Sequence, residues 1–150
     1  MTRRFLPFRA SLALGLLAAC SGAAQAASYV MYRDPGCGCC MEWVKHIREK
    51  LGATVTVRQD VPMAQVKQQR GVPANLASCH TMVVDGYVIE GHVPAGDIAR
   101  LLKEKPKGVR GLAVAGMPLG SPGMEAGGRS QPYKVIAFGT AGPRVWASYP

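Results

Sequence analysis

The sequence predicts a single α/β domain, and three observations carry that expectation. Strand-like and helix-like periodicities alternate along the chain, glycine and proline fall between the periodic runs, and the apolar residues are spread through them. With 150 residues, 48% of them apolar and 18% charged in both signs, the chain can bury one ordinary core and does not read as disordered.

Ser28–Arg33 is rich in β-forming residues and stops at Asp34-Pro35-Gly36, which is turn chemistry, so it reads as a first strand. From Cys39 to Leu51 the apolar residues Trp43, Val44, Ile47 and Leu51 recur at helical spacing, and Gly52 stands where a helix cap needs positive φ. Thr54–Arg58 alternates as a second strand. Pro62–Arg70, closed by Gly71, reads as a second helix. Thr81–Val84 and Tyr87–Glu90 flank Asp85-Gly86, a strong hairpin signal because both turn positions need φ > 0. Pro94 opens a third helix, Ala95–Glu104, with Ile98, Leu101 and Leu102 on one face.

The order is therefore βαβ, α, ββα, with cysteines at the first strand-to-helix turn, which is the arrangement of a thioredoxin-like fold: a central mixed sheet flanked by helices. A long glycine- and proline-rich, methionine-containing loop is expected from Lys107 to Pro132, followed by an extra C-terminal strand at Tyr133–Phe138. A loop of that length in a compact domain usually binds or covers something.

The N-terminal residues read as an export signal. Met1–Arg9 is basic, Ala10–Ala19 is apolar but too short to span a bilayer, and Ala24-Gln25-Ala26 is a small-residue cleavage site. This divides the chain into a signal peptide, 1–26, and one domain, 27–150, in the periplasm. Leu17-Ala18-Ala19-Cys20 supports an alternative, a lipoprotein signal over 1–19 with anchoring to the membrane through Cys20. Removing Arg3, Arg4 and Arg9 lowers the formal charge of +9 by 3. The remaining basic residues fall mainly on helices, without aromatic interleaving or a nucleic-acid motif, so no nucleic-acid partner is expected.

The chemistry lies in Cys37-Gly38-Cys39-Cys40 and in Cys79. Helix-terminal N–H groups favour thiolate, making such cysteines both nucleophiles and metal ligands. In a thioredoxin-like arrangement the segment before the third strand lies beside this turn, so Cys79 should approach the other three. In thioredoxins a proline precedes the threonine here; this chain has His80. Four converging thiols suit copper(I), zinc or an iron–sulfur cluster. Adjacent Cys39 and Cys40 fit a multinuclear copper(I) site with bridging sulfurs better than one tetrahedral ion. Met117 and Met124 in the loop are soft thioether donors that favour copper(I) over zinc. Against these stands a bland alternative: two disulfides in an exported domain.

His80 reads equally as a ligand or as a donor behind one. His92 reads first as a packing or turn residue and second as a ligand, and His46 as a surface residue. Met31, Met41, Met63 and Met82 fall in regular elements and read as core.

Four ordered motifs carry a resemblance: Asp34–Cys40, Ser78–Thr81, Asp85–Pro94 and Gly116–Glu125. Across essentially the whole of 27–150 the chain resembles CopG-type copper-resistance proteins. The resemblance implies a periplasmic, thioredoxin-like protein that handles copper, with the cysteines of both motifs as ligands. The expected metal ligands are then Cys37, Cys39, Cys40 and Cys79, with Met117, Met124, His80 and His92 as additional or outer candidates. More than one copper(I) ion is expected, with zinc as the alternative. Partners would be copper ions and other periplasmic copper-handling proteins, and redox cycling of the copper is a further capacity. The rival is an enzyme, a thiol–disulfide oxidoreductase with Cys37 as nucleophile and Cys40 as resolving thiol.

Overall fold

A computed structural model describes residues 27–150, and the predicted signal and Cys20 lie outside the described residues. In chain order the elements are β1 (Tyr29–Arg33), α1 (Gly38–Leu51), β2 (Val55–Arg58), α2 (Met63–Arg70), β3 (His80–Val84), β4 (Tyr87–Glu90), α3 (Ala95–Glu104), β5 (Gly111–Ala113), β6 (Tyr133–Phe138) and β7 (Arg144–Tyr149), with a 3-10 turn at Ala74–Leu76. The fold is α/β, with one mixed sheet of order β2-β1-β3-β4-β5-β6-β7.

Two crossovers build it. The chain leaves β1, runs through α1 and returns as β2 parallel to β1; it leaves β4, runs through α3 and returns as β5 parallel to β4. Parallel neighbours require such a connection, whereas β3 and β4 are antiparallel and joined by the two-residue turn. At that turn Asp85 and Gly86 both have positive φ, as the Asp-Gly signal predicts.

Helices α1 and α3 share one face of the sheet. Trp43, Val44, Ile47, Ile98 and Leu101 are fully buried there against Met31, Met82, Ile89 and Leu112. Strand alternation sends Thr81, Val88 and Glu90 to the other face, where Lys67 of α2 reaches Thr81 and Glu90. His46 departs from its expected surface position. It is half-buried, and its Nε2 accepts the Ala95 backbone N–H at 3.2 Å, which satisfies a free donor at the start of α3.

The stretch expected as one loop from Lys107 to Pro132 is interrupted by β5, and β7 extends the sheet beyond the predicted last strand. The β6–β7 hairpin is fastened to α3: the Tyr149 hydroxyl donates to Asp97 Oδ2 at 2.7 Å, and the Arg100 guanidinium covers the Trp146 ring at 4.1 Å. Burial, and then the bond to Asp97, raise the Tyr149 phenol above its ordinary pKa of 10.0. A raised folded-state pKa means that this stabilisation is complete below the unfolded value and is lost as pH rises through the folded one. Chemical denaturation across pH 8 to 11 should therefore show an alkaline fall in stability that is smaller in Tyr149→Phe.

Candidate metal centre

Four of the chain's five cysteines, those among the described residues, gather at one end of the sheet. Cys37 follows the C-terminal end of β1 and caps α1, Cys39 and Cys40 lie in the first turn of α1, and Cys79 immediately precedes β3. Register makes them meet: Arg33, the last residue of β1, pairs with His80, the first residue of β3. The cluster lies beyond the C-terminal ends of β1 and β4, where sites in open α/β sheets are common, and beside the N-terminal end of the antiparallel β3. A hollow of about 280 Å³ at the opposite end of β1, beside Tyr29 and Leu51, contains no thiol or imidazole.

The four sulfurs of Cys37, Cys39, Cys40 and Cys79 all lie within 4.8 Å of one another. Cys37 and Cys40 are joined by a disulfide, while Cys39 and Cys79 are free among the described residues. This corrects both expectations in part. The sulfurs converge, unlike two staples tying distant loops, but two of them bind a metal only after reduction. The Cys37 and Cys39 sulfurs are 3.5 Å apart.

A second set overlaps the first, for Cys79 Sγ is 3.2 Å from His80 Nδ1 and 3.1 Å from His92 Nε2. Both imidazoles are fully buried. His92, expected first as packing, faces the thiol. Its Nδ1 lies 2.8 Å from the Pro122 carbonyl and must donate to it, which leaves Nε2 as the lone-pair nitrogen aimed at Cys79. The His80 ring packs 4.4 Å from the Trp43 ring and 5.0 Å from His92, and its Nε2 is buried without a hydrogen-bond partner among the described residues.

Burial keeps the centre neutral without a metal. Desolvation, and then the neighbouring Cys39 sulfur, push the Cys79 thiol up to about 11, and desolvation holds both imidazoles below their ordinary range, His80 far below it. Neutral imidazoles offer lone pairs, and soft sulfur beside them suits a soft cation; a metal there would displace the thiol proton.

The loop after β5 lies over this centre. Gly116 N–H donates to Ala77 O, and the Ser78 hydroxyl donates to Gly116 O. Pro122 meets His92, and Gly123 abuts the α1 backbone at Cys39 and Trp43. Met117 and Met124 therefore neighbour residues that touch the centre; Met117 is 52% exposed and Met124 half-buried.

Several contributors escaped sequence reasoning. The Arg33 guanidinium donates to Cys37 O at 2.5 Å and to Asp34 O at 3.2 Å, clamping the cysteine turn. Glu90 lies fully buried under the Cys79 segment. Alternation of β4, with Val88 and Glu90 on one buried face, is the signal that would have flagged an acid needing a partner.

A family model described as protein of unknown function, DUF411, matches residues 76–124, spanning Cys79, both buried histidines and Met124. No curated protein matches the chain. A solved structure described as copper resistance protein CopG, form 2, is 44% identical over 84% of this chain and all of its own, with a TM-score of 0.77. Form 1 of that protein is 45% identical over 82% of this chain and 97% of its own, with a TM-score of 0.76.

The chain belongs to the CopG family of copper resistance proteins. The CopG-type resemblance of the four motifs extends to the whole described fold, and this member has a cysteine and histidine cluster able to hold a metal.

Proposed function

We propose that this CopG-family protein binds copper(I) in the periplasm through Cys37, Cys39, Cys40 and Cys79 and so protects the cell from copper. The observation that carries this reading is the convergence of four sulfurs, with two neutral imidazoles on one of them, in a chain similar to a copper resistance protein. The ligand set is soft and thiolate-rich, and the adjacent Cys39 and Cys40 suit bridging between several ions. His80 and His92 complete the donor set around Cys79, and Met117 and Met124 are thioether donors at the edge of the covering loop. The order β2-β1-β3-β4, with β1 and β2 parallel and a cysteine capping α1, supports a thioredoxin-like core beneath the centre.

Reduced protein handled without oxygen should take up more than one copper(I) per chain in a titration against a chromogenic copper(I) chelator. Cys79→Ser should lose at least about tenfold in affinity, since even residues behind metal ligands are worth 10- to 100-fold. Wild-type stoichiometry and affinity in that variant would remove Cys79 from the site. Metal analysis of the isolated protein separates copper from zinc. Intact mass of the exported protein separates cleavage after Ala26 from lipidation of Cys20. Redox cycling of the bound copper, and transfer to other periplasmic copper proteins, belong to the same reading.

One observation favours a second reading, thiol–disulfide exchange: Cys37 and Cys40 are already paired at the N-terminus of α1, with Cys40 buried and Cys37 partly exposed. Metal-free protein that reduces insulin, with loss of that activity in Cys37→Ser, would support it.

A further inference from the structure

We propose that Glu90, neutralised by Lys67, is a positioning residue that holds the Cys79–His80 pair at the metal centre; this rests on the copper-binding reading above.

A fully buried carboxylate is costly unless every charge and lone pair is answered. Here the answering donors flank the two ligand residues. Ser78, immediately before Cys79, donates its backbone N–H to Glu90 Oε1 at 2.6 Å. Thr81, immediately after His80, donates its hydroxyl to Oε2 at 2.6 Å. Both oxygens are thus committed to residues on either side of Cys79–His80, and the dipeptide is held at both ends.

The charge is supplied from another element. Lys67 Nζ of α2 lies 2.5 Å from Oε1 and 3.2 Å from Thr81 Oγ1, with its side chain 18% exposed and that of Glu90 fully buried. The ladder adds a third restraint, because Thr81 and Glu90 are cross-strand partners and Gly91 N–H donates to His80 O at 2.9 Å. Hydrogen bonding does little to hold the His80 ring: among the described residues Nε2 has no partner and Nδ1 lies against the sulfur it would join in binding metal, so the ring relies on its packing against Trp43 and His92 and on the placement of its backbone. The carboxylate lies on the α2 face of the sheet and the imidazole on the α1 face, so Glu90 acts through the backbone rather than by touching a metal.

A merely stabilising ion pair makes a different forecast. Replacing a buried pair by apolar residues of similar volume often leaves stability unchanged or improves it. Lys67→Met/Glu90→Leu should therefore still fold, with a thermal midpoint lowered only by the Ser78 N–H and Thr81 hydroxyl that it leaves unanswered, while losing at least about tenfold in copper(I) affinity, by the measure of groups that orient ligands. In the reduced, metal-free variant, mass-spectrometric alkylation should find Cys79 modified severalfold faster, with the rate at Cys39 unchanged. Lys67→Met/Glu90→Gln, which keeps an acceptor for Ser78 N–H without charge, should restore most of the affinity.

A folded Leu variant with wild-type copper affinity and a wild-type Cys79 alkylation rate overturns the proposal. If that variant does not fold, Thr81→Val decides: removing one of the two flanking bonds should cost at least about threefold in affinity and speed Cys79 alkylation, and no change in either overturns it. Failure of wild-type protein to take up copper(I) overturns the copper reading instead, and the alkylation rates then judge the positioning role by themselves.

Discussion

Replacing Trp43 by alanine should lower the unfolding free energy by about 3–5 kcal/mol, a large part of the 5–15 kcal/mol that holds a typical domain. Trp43 is fully buried where α1 meets the sheet, so its removal leaves a cavity at the centre of the core. It also leaves the Val93 carbonyl without the indole N–H that now reaches it at 2.9 Å. The indole packs against His80, which also neighbours His92 and Cys79, so the cavity opens directly behind the candidate metal centre. Urea denaturation should give the loss in stability, and copper(I) titration of whatever remains folded should give weaker uptake. Trp43→Phe keeps most of the volume and loses the hydrogen bond, so about 1–2 kcal/mol is expected. An alanine variant within 1 kcal/mol of wild type would mean that the core closes over the gap without the indole.

Gly123→Ala should detach the covering loop, with an expected loss of about 3 kcal/mol in loop docking, of which the positive φ alone accounts for about 1–2 kcal/mol. Gly123 has φ +81°, and a Cβ there would lie 2.6 Å from Trp43 N and 2.9 Å from Cys39 O. Both atoms belong to the α1 backbone, which cannot yield as a flexible side chain would. The loop must lift, taking Pro122 O away from His92 Nδ1. His92 then loses the bond that leaves Nε2 free to face Cys79. Limited proteolysis should cut within Gly116–Glu125 much faster in the variant, while circular dichroism of the sheet and helices stays unchanged. Equal cutting rates would show that the loop tolerates a side chain at this point.

Much of the fold is legible because its signals are local. Trp43, Val44 and Ile47 recur at helical spacing and are all buried in α1, and Asp85-Gly86 adopts the two positive φ angles its sequence demands. β5 is illegible for a physical reason. It is three residues long and begins with glycine, so it has no alternation to read, and it is a strand only because β4 and β6 supply hydrogen-bond partners on either side. β7 has no fully buried residue and so no strong alternation to read; it is fastened by its pairing with β6 and by the tie to α3, a contact between residues about fifty positions apart.

The candidate centre divides the same way. The cysteines announce themselves by type and spacing, but the expectation for His46 failed because nothing local says that α3 will bring Ala95 N–H to its ring. His92 reads locally as a turn residue because its meeting with Cys79 depends on how the end of β4 is laid beside β3.

The sequence alone determined the donor chemistry, four thiols with histidines and methionines nearby, and the order of the elements that carry them, because residue type and short-range periodicity are properties of neighbours along the chain. Tertiary structure decided which donors face one another, that Cys37 pairs with Cys40, and that a buried acid on the far face of the sheet braces the Cys79 segment. Those outcomes depend on strand register and on packing across the sheet, and neither is written in any local stretch of residues.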